Sequence, residues 1–419
     1  MKSLAHCALA LGSVFALVST SSFAQQKNMM LEEVIVTAQK KAESLQDTPI
    51  AMDAFNEEAL AREGIGSIGD LANNVPSLNI QPFPINTTTL RIYIRGIGLV
   101  DAQITQDPPV GVYIDGAYIA RSSSLATEIA DLSRIEVLRG PQGTLYGRNS
   151  TGGAVNLVTR RPDPDALLLK QSLTYGDRNL FTSKSMLNLP LWQGSALKLS
   201  YLEKSVDGYI ENTGLGGDFG DSATTGYRVD FGWDIGDTIR LDYAYDKADV
   251  ANTNMAYSAV LPSEDIPNPG ANSGIAITNL INSGARQFYD FNVSGRRPDK
   301  MHSPVDLVEA DNIIDGHQLS LNWDYSEHLA IKYIYAQRSL FDSTPTNLGT
   351  GARTDGYRLD NNALLGFPVA PLAGGTAPCT PVCIGRSVFY DGFQPDITQE
   401  QSSHELQFSG GLLDDRLSY

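Results

Sequence analysis

Strict alternation of apolar and polar residues in the second half of the chain is the feature that most limits its fold. Between residues 227 and 235, aromatic and aliphatic residues occupy the odd positions, and Arg, Asp or Gly the even ones. Segments 239–246, 319–325 and 331–335 follow the same period. Side chains of a β-strand point alternately to its two faces, so each segment predicts a strand with one apolar face. Soluble sandwiches and membrane barrels both show such alternation.

The lengths of the connections favour a barrel in an outer membrane over a sandwich. Such barrels have short periplasmic turns and long extracellular loops. After a first hairpin turn at 176–180, the connections are short at 192–195, 236–237, 326–328 and 412–415, and long at 211–224, 250–314 and 342–401. All three tryptophans, Trp192, Trp233 and Trp323, lie at or beside the short turns, where an interfacial aromatic girdle is expected.

The first 24 residues are typical of a secretory signal peptide. Lys2 precedes an apolar run from Ala8 to Val18, and Ser22-Phe23-Ala24 forms a small-x-small cleavage site. The run is too short for a spanning helix, and no later segment has about 18 consecutive apolar residues. An exported chain of this kind can enter a membrane only as a β-barrel. A signal anchor is the alternative that stays open.

Composition and motifs argue against several classes of function. The formal net charge is −17, with acidic residues spread along the chain, so nucleic acid is not expected as a partner because it would be repelled. The sequence has no HExxH, Gly-x-Ser-x-Gly or Cys-x-x-Cys motif, and its five histidines are scattered. It therefore predicts neither an enzyme nor a bound cofactor or metal.

A short β-prone segment follows the signal peptide. Val34, Ile35, Val36 and Thr37 are β-branched and favour an extended backbone. Flanking polar residues leave such a strand nothing to pack against, which suits it to adding to the open edge of a partner's sheet. The alternative is an ordinary edge strand of the next domain.

Residues 48–161 predict a compact domain of mixed structure. Asn56 can cap a helix that reaches Arg62 and stops at Gly64, and Ile68 to Leu71 starts a second short helix. Strands are predicted at 90–96, 110–116, 133–140 and 154–159.

A glycine-rich loop, residues 140–153, joins the last two of these strands. Its glycines permit tight turns and close backbone contact. A phosphate-binding loop would need a Gly-Lys-Ser/Thr sequence, which is missing. A structural loop in a crowded place is therefore favoured.

Three stretches of this domain resemble the plug of TonB-dependent outer-membrane receptors and stand in that family's order. They are IRGIG at 94–98, PPVGVYIDGAYIA at 108–120 and DLSRIEVLRGPQGTLYGRNSTGGAVNLVTRRP at 131–162. The sequence EEVIVTA at 32–38 is similar to the TonB box, which the family places just after the signal peptide.

The resemblance implies an α+β plug domain, a small mixed sheet with short helices, followed by an antiparallel transmembrane β-barrel that is incomplete in this chain. The expected regions are a signal peptide at 1–24, a periplasmic segment at 25–47 with the box at 32–38, the plug at 48–161 and the N-terminal part of the barrel at 162–419.

The resemblance also assigns roles to residues. TonB is expected to bind Glu33, Val34, Ile35, Val36, Thr37 and Ala38. A structural or gating role in the plug is expected for Arg95, Gly96, Asp115, Gly116, Glu136, Arg139, Gly140, Pro141, Gly143, Tyr146, Gly147, Arg148, Gly152 and Gly153. Among them, Arg95, Glu136, Arg139 and Arg148 are expected to face the polar barrel wall, because paired charges would hold the plug without apolar packing.

The implied function is energised uptake of a scarce nutrient, such as a ferric siderophore-type iron complex, across the outer membrane of a Gram-negative bacterium. TonB with the ExbB–ExbD complex, the nutrient and outer-membrane lipid are the expected partners. The ligand-binding residues are not predicted.

The number of strands keeps a second hypothesis open. About eight complete strands fit in 162–419, whereas barrels that hold a plug have about 22. We expect a fragment or a shortened product, and a decayed receptor that binds TonB or ligand without transport is the alternative. A passive channel or adhesin barrel is a third hypothesis, which the box segment disfavours.

Two cysteines form one further feature. Cys379 and Cys383, in CTPVC within the last long connection, are expected to form a disulfide in the oxidising exterior. A metal site is the alternative.

Overall fold

Two β-sheets, one of five strands and one of eight, are the main elements of the structure. The computed structural model describes residues 34–41, 43–83, 86–125, 131–214, 216–256, 298–301, 307–345, 396–412 and 417–419. The signal peptide, Glu33 and the predicted disulfide pair Cys379 and Cys383 lie outside these residues.

The first sheet belongs to the plug. The elements before residue 160 are β1 (Ile35–Val36), β2 (Glu43–Ser44), β3 (Met52–Asn56), α1 (Glu57–Glu63), a 3-10 helix (Ile68–Asn73), β4 (Leu78–Phe83), β5 (Asn86–Ile94), β6 (Val110–Ile114), β7 (Ala117–Ile119), a 3-10 turn (Ser122–Ser124), β8 (Leu132–Arg139), α2 (Gly143–Tyr146) and β9 (Gly153–Thr159). The sheet order is β3-β8-β9-β6-β7. Only the β6–β9 pair is parallel, so the sheet is mixed, as expected.

Local capping explains helix α1. The Asn56 side chain accepts a hydrogen bond from the Ala59 N–H at 2.9 Å, and Gly64 closes the helix in the left-handed region with φ 67°. Leu60 on its inner side joins a buried apolar cluster that runs from Leu60 to Leu157. Full burial of each such side chain contributes about 1.5–3 kcal/mol to folding. None of the described helices has the length and apolar character needed to cross a membrane.

The second sheet, which we name the wall, contains eight strands. The elements after residue 160 are β10 (Leu168–Tyr175), β11 (Phe181–Pro190), β12 (Ser195–Val206), β13 (Glu211–Asn212), β14 (Ser222–Ile235), β15 (Ile239–Asn252), β16 (Lys300–Met301), β17 (Ala310–Ser326), β18 (Leu329–Ser343), β19 (Asp396–Ser409), β20 (Gly411–Leu412) and β21 (Leu417–Ser418). The wall has the order β10-β11-β12-β14-β15-β17-β18-β19, and every neighbouring pair is antiparallel. Within the described residues β10 and β19 are its open edges, as expected for part of a barrel.

The predicted turns agree with the strand ends, except for the turn at 412–415, most of which lies outside the described residues. Strand β10 ends at Tyr175 and β11 begins at Phe181, which leaves 176–180 as the first hairpin turn. The short turns near 192, 236 and 327 also lie between paired strands. One contact in the long connections was not predicted: β13 pairs in parallel with β16.

The two faces of the wall differ as the alternation predicts. On β14, Arg228 and Asp230 are buried against the plug, whereas Tyr227 is 42% exposed on the opposite face. The aromatic residues near the short turns lie on this outer face, with the Trp192 and Trp233 ring centroids 6.2 Å apart. Strand β17 has 17 residues, more than the roughly 9–11 that cross a bilayer. The prediction that β14 has one apolar and one polar face is confirmed.

Candidate functional site

The segment predicted to bind TonB is docked in this structure. Strand β1 pairs with β2 in a short hairpin, with Ile35 opposite Ser44 and Val36 opposite Glu43. The Val36 and Ala38 side chains are fully buried, whereas Ile35 is 46% exposed. Val36 and Ala38 are therefore not free to contact a partner's sheet while the segment is docked.

A buried carboxylate in the plug holds the end of this segment. Glu136 Oε1 accepts hydrogen bonds from the Thr37 backbone N–H at 2.8 Å and from the Thr37 hydroxyl at 3.2 Å. Arg134 donates to the same carboxylate oxygen at 2.7 Å and to the Thr37 hydroxyl at 2.9 Å. Asn156 donates to Glu136 Oε2 at 3.0 Å. We name Thr37, Arg134, Glu136 and Asn156 the clasp.

The prediction that Glu136, Arg139 and Arg148 face the barrel wall is wrong, because each of them contacts the plug or the box segment instead. Glu136 is fully buried inside the clasp. Arg139 Nε lies 3.0 Å from Asp53 Oδ2 on strand β3, and Arg148 Nη1 lies 3.9 Å from Asp107. These charges stabilise the plug itself, since their partners come from neighbouring plug segments and the box.

The glycine-rich loop has the crowding that its composition predicts. Arg95 lies beside Gly140, where a Cβ atom would come within 3.1 Å of Arg95 Nη1. A Cβ atom on Gly153 would come within 2.2 Å of the Leu138 carbonyl oxygen. The loop also contains the short helix α2, which the sequence did not predict and which places Tyr146 in a buried position.

Two glycines of this loop give a matched test of the packing. We expect Gly153→Ala to lower plug stability by about 2–4 kcal/mol, because the backbone of Leu138 blocks the new methyl group. Gly143→Ala, in α2 with no atom within 4 Å of its Cβ position, should change stability by about 1 kcal/mol or less. Calorimetry of both purified variants would measure this, and equal melting temperatures would contradict it.

Two buried tyrosines connect the box segment to the plug interior. The Tyr113 hydroxyl donates to the Tyr146 carbonyl at 2.7 Å, and burial raises the pKa of both phenols, which keeps them protonated. Lys40 Nζ lies 4.7 Å from the centroid of the Tyr146 ring, a cation–π contact. The same ammonium group lies 3.5 Å from Glu405 on wall strand β19.

Arg121 holds a second group of charges in the plug. Its guanidinium Nη1 lies 2.7 Å from Asp107 Oδ1, and this hydrogen bond lowers the pKa of Asp107 below its ordinary value. Asn149 donates to the Tyr118 hydroxyl at 2.8 Å. Gln401 of β19 donates to the Tyr118 carbonyl at 2.6 Å, so this region also contacts the wall.

Ion pairs join the plug to the wall. In some of them the plug contributes the anion, and in others it contributes the cation. The plug carboxylate Asp115 lies 2.8 Å from the wall residue Arg228. Conversely, the plug residue Arg161 lies 2.9 Å from Asp234 Oδ1 on the wall. Further pairs of this kind are Asp131 with Lys198 at 3.2 Å and Arg161 with Asp242 at 2.5 Å.

Sequence reasoning did not identify these wall residues as functional. Arg228 and Asp230 were interpreted only as polar residues of an alternating strand. Lys198 lies between Leu197 and Leu199 in a similar pattern. A charged residue on the polar face of a wall strand could have predicted a contact with the plug, because a charge that faces the plug needs a partner there.

A cavity of about 610 Å³ lies between the box segment, the plug and the wall. Its lining includes Thr37 and Lys40 from the box segment, Asp115 from the plug, and Arg240 and Lys332 from the wall. Arg240 follows the turn at 236–238, so the cavity is at the end of the wall where the short turns lie.

A comparison with protein families decides the identity of this arrangement. Residues 44–154 match the family model described as TonB-dependent Receptor Plug Domain. This part of the chain is a TonB-dependent receptor plug domain. The receptor is an outer-membrane protein, and its family consists of transport receptors rather than enzymes. The match begins after residue 38, so the TonB-binding role of the box remains a prediction.

Curated relatives agree with this assignment. The receptor is 29% identical over 213 residues to the pesticin receptor of Yersinia enterocolitica, which covers 50% of this chain and 30% of that protein. It is 30% identical over 149 residues to the iron-regulated outer membrane virulence protein of Vibrio cholerae, covering 34% of this chain and 22% of that protein.

A solved structure shares the fold. The closed form of the ferric-catecholate import receptor Fiu from Escherichia coli K12 aligns with a TM-score of 0.60 and 16% identity, over 88% of this chain and 45% of that chain. This receptor chain therefore spans less than half the length of each of these proteins. The fold class expected from the sequence, a plug followed by part of an antiparallel barrel, is confirmed.

Proposed function

We propose that this receptor imports a ferric siderophore-type iron complex across the outer membrane, with work supplied by TonB through residues 33–38. The observation that carries the proposal is the clasp, which holds Thr37 of the box against the plug with a fully buried carboxylate. A short segment that is held by two small buried side chains and a few polar contacts can be withdrawn by a partner that pulls on it.

The names of related proteins support the class of cargo. One relative is named a pesticin receptor and another an iron-regulated outer membrane virulence protein. The aligned structure is titled a ferric-catecholate import receptor. Iron complexes are therefore the substrate class that we propose for this receptor.

The clasp suggests a sequence of events for the proposed import. Ligand binds to the outer loops and the tip of the plug, and TonB adds a strand to the box, where main-chain hydrogen bonds provide the affinity. A pull on Thr37, powered through ExbB–ExbD, breaks the clasp and acts on strand β8, to which Arg134 and Glu136 belong. The wall meets outer-membrane lipid on the face that carries Tyr227 and Leu321.

Deletion of residues 33–37 tests the proposal. We expect uptake of radioactive ferric siderophores to fall at least about tenfold, to the background, because TonB loses its strand partner, while ligand binding to de-energised cells survives. Loss of binding together with uptake would argue against a specific role of the box.

Position 35 offers a matched pair of substitutions. Ile35→Pro removes a backbone donor and should abolish uptake as the deletion does, because proline cannot contribute its N–H to a ladder. Ile35→Val keeps the backbone and the β-branched side chain, and uptake should persist. Equal uptake by the two variants would contradict strand addition.

A further inference from the structure

The cavity between plug and wall has an excess of positive charge in a protein whose net charge is −17. Eight Lys or Arg side chains line it, against four Asp side chains. Seven of the eight cations have a carboxylate at ion-pair distance: Lys40, Lys41, Arg134, Arg160, Arg161, Arg228 and Arg240. The eighth is Lys332.

Lys332 is a half-buried lysine on the inner face of β18. Within the part of the chain that the structure describes, its side chain has no hydrogen bond and no ion pair. A half-buried ammonium group without a hydrogen-bond or ion-pair partner is costly, because longer-range attraction by Asp115, Asp242 and Glu405 only partly offsets the loss of water. A cation in this position is suited to an anion that enters the cavity.

Lys40 brings a second ammonium group to the same cavity. It lies within electrostatic range of Lys332, and the two positive charges repel each other. Glu405, the carboxylate paired with Lys40, stands opposite Ile334 in the β18–β19 register, two positions along the strand from Lys332. Asp115 and Asp242 also attract Lys332, but neither they nor Glu405 lies at ion-pair distance from it, so Lys332 has no direct partner among the described residues.

We propose that this cavity binds an anionic group of the transported solute at the inner end of its route, with Lys332 and Lys40 as the two cations that hold it. The ligand class is a small solute with carboxylate or similar oxygen anions, and a volume of about 610 Å³ accommodates such a molecule. This inference rests on the proposed import function and adds a second binding site to it.

The site is divided between a fixed part and a movable part. Lys332 belongs to the wall, whereas Lys40 follows the box by two residues and is attached to the plug through the Tyr146 ring. A pull that breaks the clasp at Thr37 also withdraws Lys40. Half of the anion site then disappears, and the solute is released on the side from which TonB pulls.

Titration of citrate, a tricarboxylate, into the receptor extracted from outer membranes in detergent tests the site by calorimetry. We expect Lys332→Gln and Lys40→Gln each to weaken citrate binding about tenfold, the effect of losing one charged hydrogen-bond donor. Lys332→Arg keeps the charge and should bind citrate nearly as the native receptor does. Lys247→Gln is the control, since Lys247 is on the outer face of β15 and pairs with Asp249 at 3.4 Å.

Two outcomes would overturn the site: equal citrate affinity in the native receptor and both glutamine variants, or equal loss in the Lys247→Gln control. Recovery of Lys332→Arg in the outer membrane shows that the position tolerates substitution. Failure of the import function is a separate result, because uptake that does not depend on residues 33–37 would refute transport by TonB and leave the citrate titrations unchanged.

Discussion

Replacing Arg228 by alanine is expected to loosen the plug from the wall more than any other single change at this interface. The guanidinium group is buried and lies 2.8 Å from Asp115 of the plug, 2.8 Å from Asp230 and 3.5 Å from Asp246. Its removal leaves these carboxylates without their shared cation, and breaking a buried pair costs about 3–5 kcal/mol. Arg338, 2.8 Å from Asp246, and Lys198, 3.3 Å from Asp230, keep a cation beside two of the three carboxylates, so Asp115 of the plug loses the most.

Conductance in planar bilayers would measure this effect. A loosened plug should admit ions, so the Arg228→Ala receptor should conduct more than the native receptor. Arg240→Ala is the matched control, because Arg240 is on the same face and its side chain is 55% exposed, 3.3 Å from Asp234. An exposed pair contributes about 1 kcal/mol or less. Equal conductance of the two variants would contradict a special role of Arg228.

Glu136→Gln is expected to release the box segment, which is the second large effect. The substitution keeps the shape of the side chain but removes the charge that accepts from Thr37, Arg134 and Asn156. Glutamine also presents a donor where the carboxylate presents an acceptor, so at least one of these donors loses its partner. A lost hydrogen bond to a buried charged group costs about 1.5–3 kcal/mol.

A cysteine at position 36 would report this release. Val36 is fully buried, so Val36→Cys should react slowly with a maleimide while the box is docked. Adding Glu136→Gln should raise the labelling rate about tenfold or more, as the docked population falls. Glu63→Gln, which alters an exposed pair with Arg62 at 3.1 Å, serves as the control. An unchanged labelling rate in the Glu136→Gln variant would show that the clasp does not hold the segment.

The wall could be predicted well from the sequence because the alternation that defines a strand involves only neighbouring residues. The alternation from Tyr227 to Ile235 determines which face of β14 is apolar, and the turn at 236–238 has few residues in which to vary. Strands β5, β6, β8 and β9 were predicted for the same reason, since their apolar residues are dense. The register between strands then follows from the short turns.

The elements that were missed depend on contacts distant in sequence. Strand β3 has the unremarkable sequence MDAFN and is extended because it pairs with β8, about eighty residues later. Strand β4 contains Pro82, which is tolerated because β4 pairs only with β5 and leaves one edge unbonded. Helix α2 lies in the glycine-rich loop, and the sequence does not predict it because glycine disfavours helices.

The candidate site was predicted in part. The box and the glycine-rich loop stand out as continuous motifs, and their TonB-binding and gating roles remain predictions. The partners of Glu136 were predicted wrongly, because a charged residue in a plug suggests a partner on the wall, whereas Thr37 comes from 99 residues earlier. The pairs of Asp115 with Arg228 and Asp131 with Lys198 needed the three-dimensional structure.

The plug contributes both anions and cations to its ion pairs with the wall, and this limits how such a receptor can diverge in sequence. The buried apolar cluster between Leu60 and Leu157 is internal to the plug, so its members can be replaced among themselves as long as volume is kept. The ionic contacts obey a different rule. A cation in place of Asp115 would be repelled by Arg228. An anion in place of Arg161 would be repelled by Asp234 and Asp242. Plugs grafted between barrels would therefore be accepted only where both sets of signs match, and substitutions at these positions should arise in pairs.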